Sequence, residues 1–223
     1  MRDVTVAFDL DGTLVETAPD LIAATNHVLN RAGLAPMAPE ILRPAISYGA
    51  LAMITKGFAQ HGVTLSRADA EAELEQFLAY YTANIAATSH AYPGLEAALD
   101  HLAAQGARLA VCTNKRAGMS EQLLSDLRLR PRFAALAGRD TFPVCKPHPD
   151  HLIGAIRMAG GDPSRAIMVG DSNVDIDTAK AAGVPIVAVT FGYTEIPVHE
   201  QSPDAVIDHY DELIPAIDRI LAR

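Results

Sequence analysis

Cysteine is scarce in this chain of 223 residues. Only Cys112 and Cys145 occur, at a spacing that matches no metal-binding or redox motif. That argues against a cysteine-based metal or redox centre. Cys112, inside the apolar run Leu109-Ala110-Val111-Cys112, reads as a reduced core thiol packing as a small hydrophobe. Basic charge is also short: 18 Lys and Arg stand against 27 Asp and Glu, a formal net charge of −9. Nucleic acid and anionic membranes both need a basic patch, so neither is expected as a partner. A small phosphorylated metabolite remains compatible, because a local site can be positive within an acidic protein. No stretch approaches the roughly 20 apolar residues of a membrane span. Arg2 and Asp3 lead straight into a short strand pattern rather than a signal peptide, so the expected compartment is the cytoplasm. Repeats, low-complexity tracts and charge blocks are missing. So are a nucleophile-elbow serine, a P-loop and a dinucleotide-binding glycine pattern.

What is present is an ordinary globular composition, 49% hydrophobic and 20% charged, long enough to bury a core without staples. Residues 4–10 (VTVAFDL) form a short apolar, β-branched run ending at Asp11-Gly12, the pattern of a buried strand and a turn. Residues 16–85 change character. They are rich in Ala, Leu and Glu, with apolar residues at helical spacing (Leu21, Ile22, Thr25, Leu29; Leu74, Phe77, Leu78, Tyr81), and predict three or four helices with no strand. From residue 92 strand and helix patterns alternate. Helices are expected at 93–104, 117–127, 149–159, 173–182 and 210–221, and strands at 108–113, weakly at 133–137, and at 166–169, 185–189 and 205–207. Alternation of this kind implies an α/β fold with a parallel sheet covered on both faces. The expected organisation is therefore a core of residues 1–15 and 86–223, with residues 16–85 inserted as a helical unit.

In such sheets ligands bind beyond the carboxyl ends of the strands. Polar groups stand where the apolar strands run out: Asp9 and Asp11, Thr113 and Asn114, Lys146, and Asp171 with Asp175. Converged at one edge, they suit metal-assisted phosphoryl transfer. Mg²⁺ prefers hard oxygen ligands, typically one or two carboxylates plus phosphate and water. A carboxylate can also be a nucleophile. Asp11, two residues after Asp9 at the start of the turn, is placed to act as general acid and then base. Lys146 supplies positive charge, Thr113, Asn114 and turn N–H groups supply donors, and Gly12 allows close approach of the backbone to a phosphate. Competing readings exist. Asp-x-Asp-Gly can open a calcium loop, but Leu14 occupies the sixth position where that loop needs Gly. Asp171 and Asp175 could serve only to cap and charge a helix start, and Lys146 could be a solvated lysine. The eight histidines are scattered. His148 and His151 flank Asp150 without metal spacing and read as solvated or helix-capping.

The segments Asp9-Leu10-Asp11-Gly12-Thr13-Leu14-Val15, Thr113-Asn114, Lys146-Pro147 and Gly170-Asp171-Ser172-Asn173-Val174-Asp175 resemble, in order, the four motifs of the haloacid dehalogenase superfamily. The resemblance implies a Rossmann-like core with a small α-helical cap inserted after the first motif. It implies Asp9 as nucleophile and metal ligand, Asp11 as acid/base and ligand through its carbonyl, Asp171 as a direct Mg²⁺ ligand and Asp175 behind it. Thr113, Asn114 and Lys146 would hold the phosphate. Asp11 favours phosphate-ester hydrolysis over dehalogenation, since the latter does not need a proton donor there. Arg43 and the Ser47-Tyr48-Gly49 turn resemble the cap loop of phosphoglycolate phosphatases, as do Phe191-Gly192-Tyr193 and the run 202–208. An arginine there could clamp a substrate carboxylate or serve as a surface ion-pair partner. The expected activity is Mg²⁺-dependent phosphomonoester hydrolysis, on 2-phosphoglycolate. A sugar-phosphate phosphatase, a β-phosphoglucomutase-like phosphomutase and a non-catalytic binding module are the alternatives. Either a monomer or a homodimer is compatible with the sequence.

Overall fold

The computed structural model describes residues 1–222. The chain divides into two compact units, one formed by Met1–Glu16 with His90–Arg223 and the other by Thr17–Ser89. It opens with β1 (Thr5–Phe8) and the short β2 (Val15–Glu16), and then enters the second unit. That unit holds α1 (Ala18–Arg31), α2 (Pro39–Leu42), α3 (Ala50–Gln60) and α4 (Arg67–Ala83), with a 3-10 turn at Arg43–Tyr48. The first unit resumes with β3 (His90–Ala91), α5 (Leu95–Ala104), β4 (Arg108–Cys112), α6 (Ala117–Asp126) and β5 (Ala135–Ala137). It ends with α7 (Pro149–Met158), β6 (Ala166–Gly170), α8 (Asn173–Ala182), β7 (Ile186–Val189), β8 (Ala205–Ile207) and α9 (Leu213–Leu221).

Six strands form one parallel sheet in the order β5-β4-β1-β6-β7-β8. Such strands are covered on both faces and carry continuous apolar runs, as in the fully buried TVAF of β1 and AIMVG of β6. From β1 the chain steps one way to β4 and β5, then returns to the other side of β1 with β6. Right-handed crossovers made in opposite directions place α5 and α6 on one face and α7 and α8 on the other. Ala7, Ala110, Cys112, Ala135, Ala137 and Met168 share a core with Leu152, Ala155 and Ile156 of α7 and Ile176 and Ala179 of α8. Small strand residues on that face let the helices sit close.

Register aims the strand ends. Phe8 pairs with Val111 of β4 and with Val169 of β6. Asp9, Thr113 and Asp171 therefore follow within a residue or two of one another along a common edge, where each residue advances about 3.3 Å. The reversal of strand order at β1 makes this edge the topological switch point.

The Thr17–Ser89 unit is helical, with α1, α3 and α4 packing on one another. Leu21, Ile22, Thr25 and Leu29 of α1 and Phe77 and Tyr81 of α4 are buried, as their spacing predicts, while Leu74 and Leu78 are only partly so. Asp20, in the first turn of α1, accepts hydrogen bonds from the N–H and hydroxyl groups of both Thr88 and Ser89. The antiparallel pair β2–β3 joins Val15 to Ala91 and Glu16 to His90. Two-residue strands carry no periodicity, and the sequence reading does not contain them. The expected helix at 210–221 begins instead as a 3-10 turn, Tyr210–Glu212, before α9.

Candidate active site

Lys146 is the hub of the sheet edge. It lies in the loop between β5 and α7, its side chain 3% exposed. Its Nζ donates to Asp9 Oδ1 at 2.7 Å and to Asp175 Oδ1 at 2.6 Å. Asp9 directly follows β1 and is tied to β6 by its N–H bond to the Val169 carbonyl, 2.9 Å. Asp171 directly follows β6. One oxygen each from Asp9, Asp171 and Asp175 lies within 4.8 Å of the others, and all three residues are buried.

Asp175 does two things at once. Its Oδ2 accepts from the N–H of Asp171, the N–H of Ser172 and the Ser172 hydroxyl, closing a capping box at the start of α8. Its other oxygen faces Lys146. The capping role and the link to the strand-end cluster are thus both present. Lys146 is not a solvated lysine.

Other expected site residues lie around this core. Asp11 is partly exposed and paired with Lys115, whose Nζ lies 3.0 and 3.2 Å from its two oxygens. Lys115 follows Thr113-Asn114 directly and was legible as a third member of that strand-end run, but the sequence reading passes over it. Thr113 is buried at the end of β4, its hydroxyl accepting from the Lys115 N–H. Asn114 donates through Nδ2 to the Lys146 carbonyl at 2.9 Å, and its Oδ1 is buried with no hydrogen-bond partner. Gly12 adopts φ +84°, and a Cβ there would stand 2.5 Å from Asp171 Oδ2. Its missing side chain therefore makes room for Asp171. Arg43 belongs to the helical unit, at the start of the Arg43–Tyr48 turn.

His151 corrects the sequence reading. It is neither solvated nor a cap: it is fully buried in the first turns of α7, where Nδ1 accepts from the Lys146 N–H and Nε2 lies 3.1 Å from the Gly138 carbonyl. Those partners fix the neutral tautomer with its proton on Nε2. His151 and Asn114 thus hold the main chain of Lys146 from both sides of the residue. His148, one turn earlier, does cap α7 by accepting from the Asp150 N–H.

Electrostatically the cluster is crowded. Burial pushes Asp9 up to about 6, with Lys146 opposing and Asp175 adding to the rise. Burial first, then Asp175 and Asp9, hold Asp171 well above the carboxylate range. Burial alone would lower Lys146, but the two facing carboxylates outweigh it and keep the ammonium charged. The excess of buried carboxylate over lysine charge, on hard oxygen donors within one ion's reach, fits a small divalent cation. Cys112, nearby in the core, is pushed up to about 12 by burial and stays a thiol.

The family model described as haloacid dehalogenase-like hydrolase matches residues 6–189. A curated phosphoglycolate phosphatase of Mesorhizobium japonicum is 46% identical over 98% of this chain and 96% of its own length. A second, from Agrobacterium fabrum, is 46% identical over 94% of this chain and 90% of its own. The crystal structure of a predicted phosphoglycolate phosphatase from Haemophilus somnus superposes with a TM-score of 0.89 at 30% identity, covering 96% of this chain and 98% of that one.

Proposed function

This chain belongs to the haloacid dehalogenase-like hydrolases and is a phosphatase, and on that premise we propose that it hydrolyses 2-phosphoglycolate through a phosphorylated Asp9, with Mg²⁺ as cofactor. The observation that carries the chemistry is the position of Asp9, at the end of the central strand, hydrogen-bonded to Lys146 and beside Asp171 and Asp175. The curated relatives carry the substrate assignment.

Asp9 attacks phosphorus through one carboxylate oxygen, and the bond from phosphorus to the ester oxygen breaks. Asp11 gives its proton to that leaving oxygen. Water then attacks the phosphorus, Asp11 takes the proton from the water, and Asp9 leaves as a free carboxylate. Lys146 neutralises charge on the Asp9 side throughout, and Thr113 and Asn114 orient the phosphate. The carboxylates of Asp9 and Asp171 and the carbonyl of Asp11 would hold Mg²⁺, which when bound offsets the charge of the phosphoryl oxygens. Asp175 fits an outer role, because its Oδ2 already accepts three hydrogen bonds and its Oδ1 faces Lys146.

Phosphate release from a panel of phosphorylated metabolites, with and without Mg²⁺, tests this. We expect 2-phosphoglycolate to lead by about tenfold or more in kcat/KM, a margin of about 1.4 kcal/mol, with no turnover in chelator. A leading sugar phosphate would keep the mechanism and replace the substrate. Isomerisation of a sugar bisphosphate without net phosphate release would replace hydrolysis with mutase chemistry.

A further inference from the structure

Asp171 is gripped from a side of the sheet edge that carries none of the catalytic motifs. The loop after β7, Phe191-Gly192-Tyr193, passes so close to it that a Cβ on Gly192 would stand 2.2 Å from both Asp171 Cβ and Oδ2. From this loop the Tyr193 N–H donates to Asp171 Oδ2 at 2.8 Å, while the Thr13 hydroxyl donates to Oδ1 at 3.2 Å. Both carboxylate oxygens are therefore oriented by fixed neutral donors. The loop is itself anchored. The Tyr193 side chain is buried and its hydroxyl donates to Glu16 Oε1 at 2.8 Å, while Tyr92 donates to the other oxygen of Glu16 at 3.2 Å. Glu16 belongs to β2, which the β3 ladder holds in place.

We infer that Glu16, acting through Tyr193, is a positioning residue for Asp171 and sets the affinity of the site for its divalent cation. This rests on the metal-dependent reading above. Physically, a cation gains from a carboxylate only when its oxygens already point at the site, and a carboxylate free to turn must be ordered on binding. Losing such an outer partner typically weakens metal affinity about 10–100-fold. Tyr193 reaches Asp171 through its main chain, so its phenol has no reason to affect the cation except through the placement of the loop. That makes the bond to Glu16 a selective probe.

Isothermal titration of Mg²⁺ into the full-length protein, without substrate, tests the inference on wild type, Tyr193→Phe, Glu16→Ala and the double variant. The expected result is a dissociation constant raised about tenfold or more in each single variant. The double variant should be no weaker than the weaker single, because each single change already breaks the Tyr193–Glu16 bond. Phosphate release by the single variants should recover at high Mg²⁺. A purely structural role predicts lowered melting temperatures with wild-type Mg²⁺ affinity, and that result in both single variants overturns the inference alone. Failure of the wild-type protein to bind Mg²⁺ overturns the metal-dependent reading and the inference with it.

Discussion

Asp9 and Lys146 are separated by 137 positions in the chain and by 2.7 Å in space. A buried lysine flanked by two buried carboxylates keeps its charge, and in the proposed mechanism one of those carboxylates, Asp9, is the nucleophile. Asp9→Asn preserves size and most packing but replaces the attacking carboxylate with an amide. Its kcat should fall by about 1,000-fold or more with an unchanged circular dichroism spectrum; substantial turnover would remove Asp9 from the mechanism. Arg43 stands on a different footing, since only its resemblance to a phosphatase cap loop recommends it. Arg43→Ala should raise KM for carboxylated phosphate esters several-fold more than for p-nitrophenyl phosphate, loss of one charged contact being worth about 1.5–3 kcal/mol. Equal effects on both substrates would return Arg43 to a surface role.

Among the elements, α8 shows how a helix start can serve stability and chemistry together. Its sequence carries both boundary signals: Ser172 and Asp175 form the capping box, and Gly183 closes the far end at φ +66°. Ser172→Ala should cost about 1 kcal/mol, read as a shifted denaturation midpoint, with little change in kcat. Asp175→Ala removes the same cap and also strips Lys146 of a partner, so it should cost more in stability and lower kcat as well. Equal stability losses in the two variants would mean that the ion pair to Lys146 contributes nothing measurable. A helix with sharp caps at both ends, such as α8, was legible from the sequence to the residue, whereas α1 was legible only as apolar spacing within the helical segment. The β2–β3 pair was not, because pairing across the 73 positions between Glu16 and His90 leaves no local trace in four residues.

For the whole molecule, pH acts on the stability of this buried cluster through two groups of opposite sign. His151 is held neutral when folded: burial and the nearby Lys146 lower it to about 4 from an ordinary 6.5. Below pH 6.5 the unfolded chain binds a proton there that the folded chain refuses, so this residue withdraws stability as pH falls toward 4, by up to about 1.4 kcal/mol per pH unit. Asp9, raised to about 6 without a cation, contributes the opposite slope between pH 6 and its ordinary 3.8. His151→Asn, which can still accept the Lys146 N–H bond, isolates the first contribution. The stability difference between wild type and variant should narrow as pH falls from 6.5 to 4, measured by urea denaturation. A constant difference would place the proton uptake elsewhere. Saturating Mg²⁺ should stabilise the protein by about 2.7 kcal/mol at one hundred times its dissociation constant, seen as a raised melting temperature that chelator reverses. An unchanged melting temperature would argue against a cation site in the native state.

The sequence by itself determined the alternation of strands and helices, the helical character of the inserted segment and the strand-end positions of Asp9, Thr113 and Asp171. Each of these is encoded locally, in periodicity, caps and the residue that follows an apolar run. Lys146, expected where a strand runs out, lies instead in the loop between β5 and α7. Tertiary structure decided the rest. His151 looks like any polar residue near a helix start, and only the fold reveals that it is buried against the main chain of Lys146. Gly12 was legible as a turn glycine, yet the atom it makes room for, an oxygen of Asp171, lies far along the chain. Phe191-Gly192-Tyr193 stood out only by resemblance, and the bond from Tyr193 to Glu16 gave no signal, because a hydrogen bond across 177 positions depends on register that only the assembled sheet supplies.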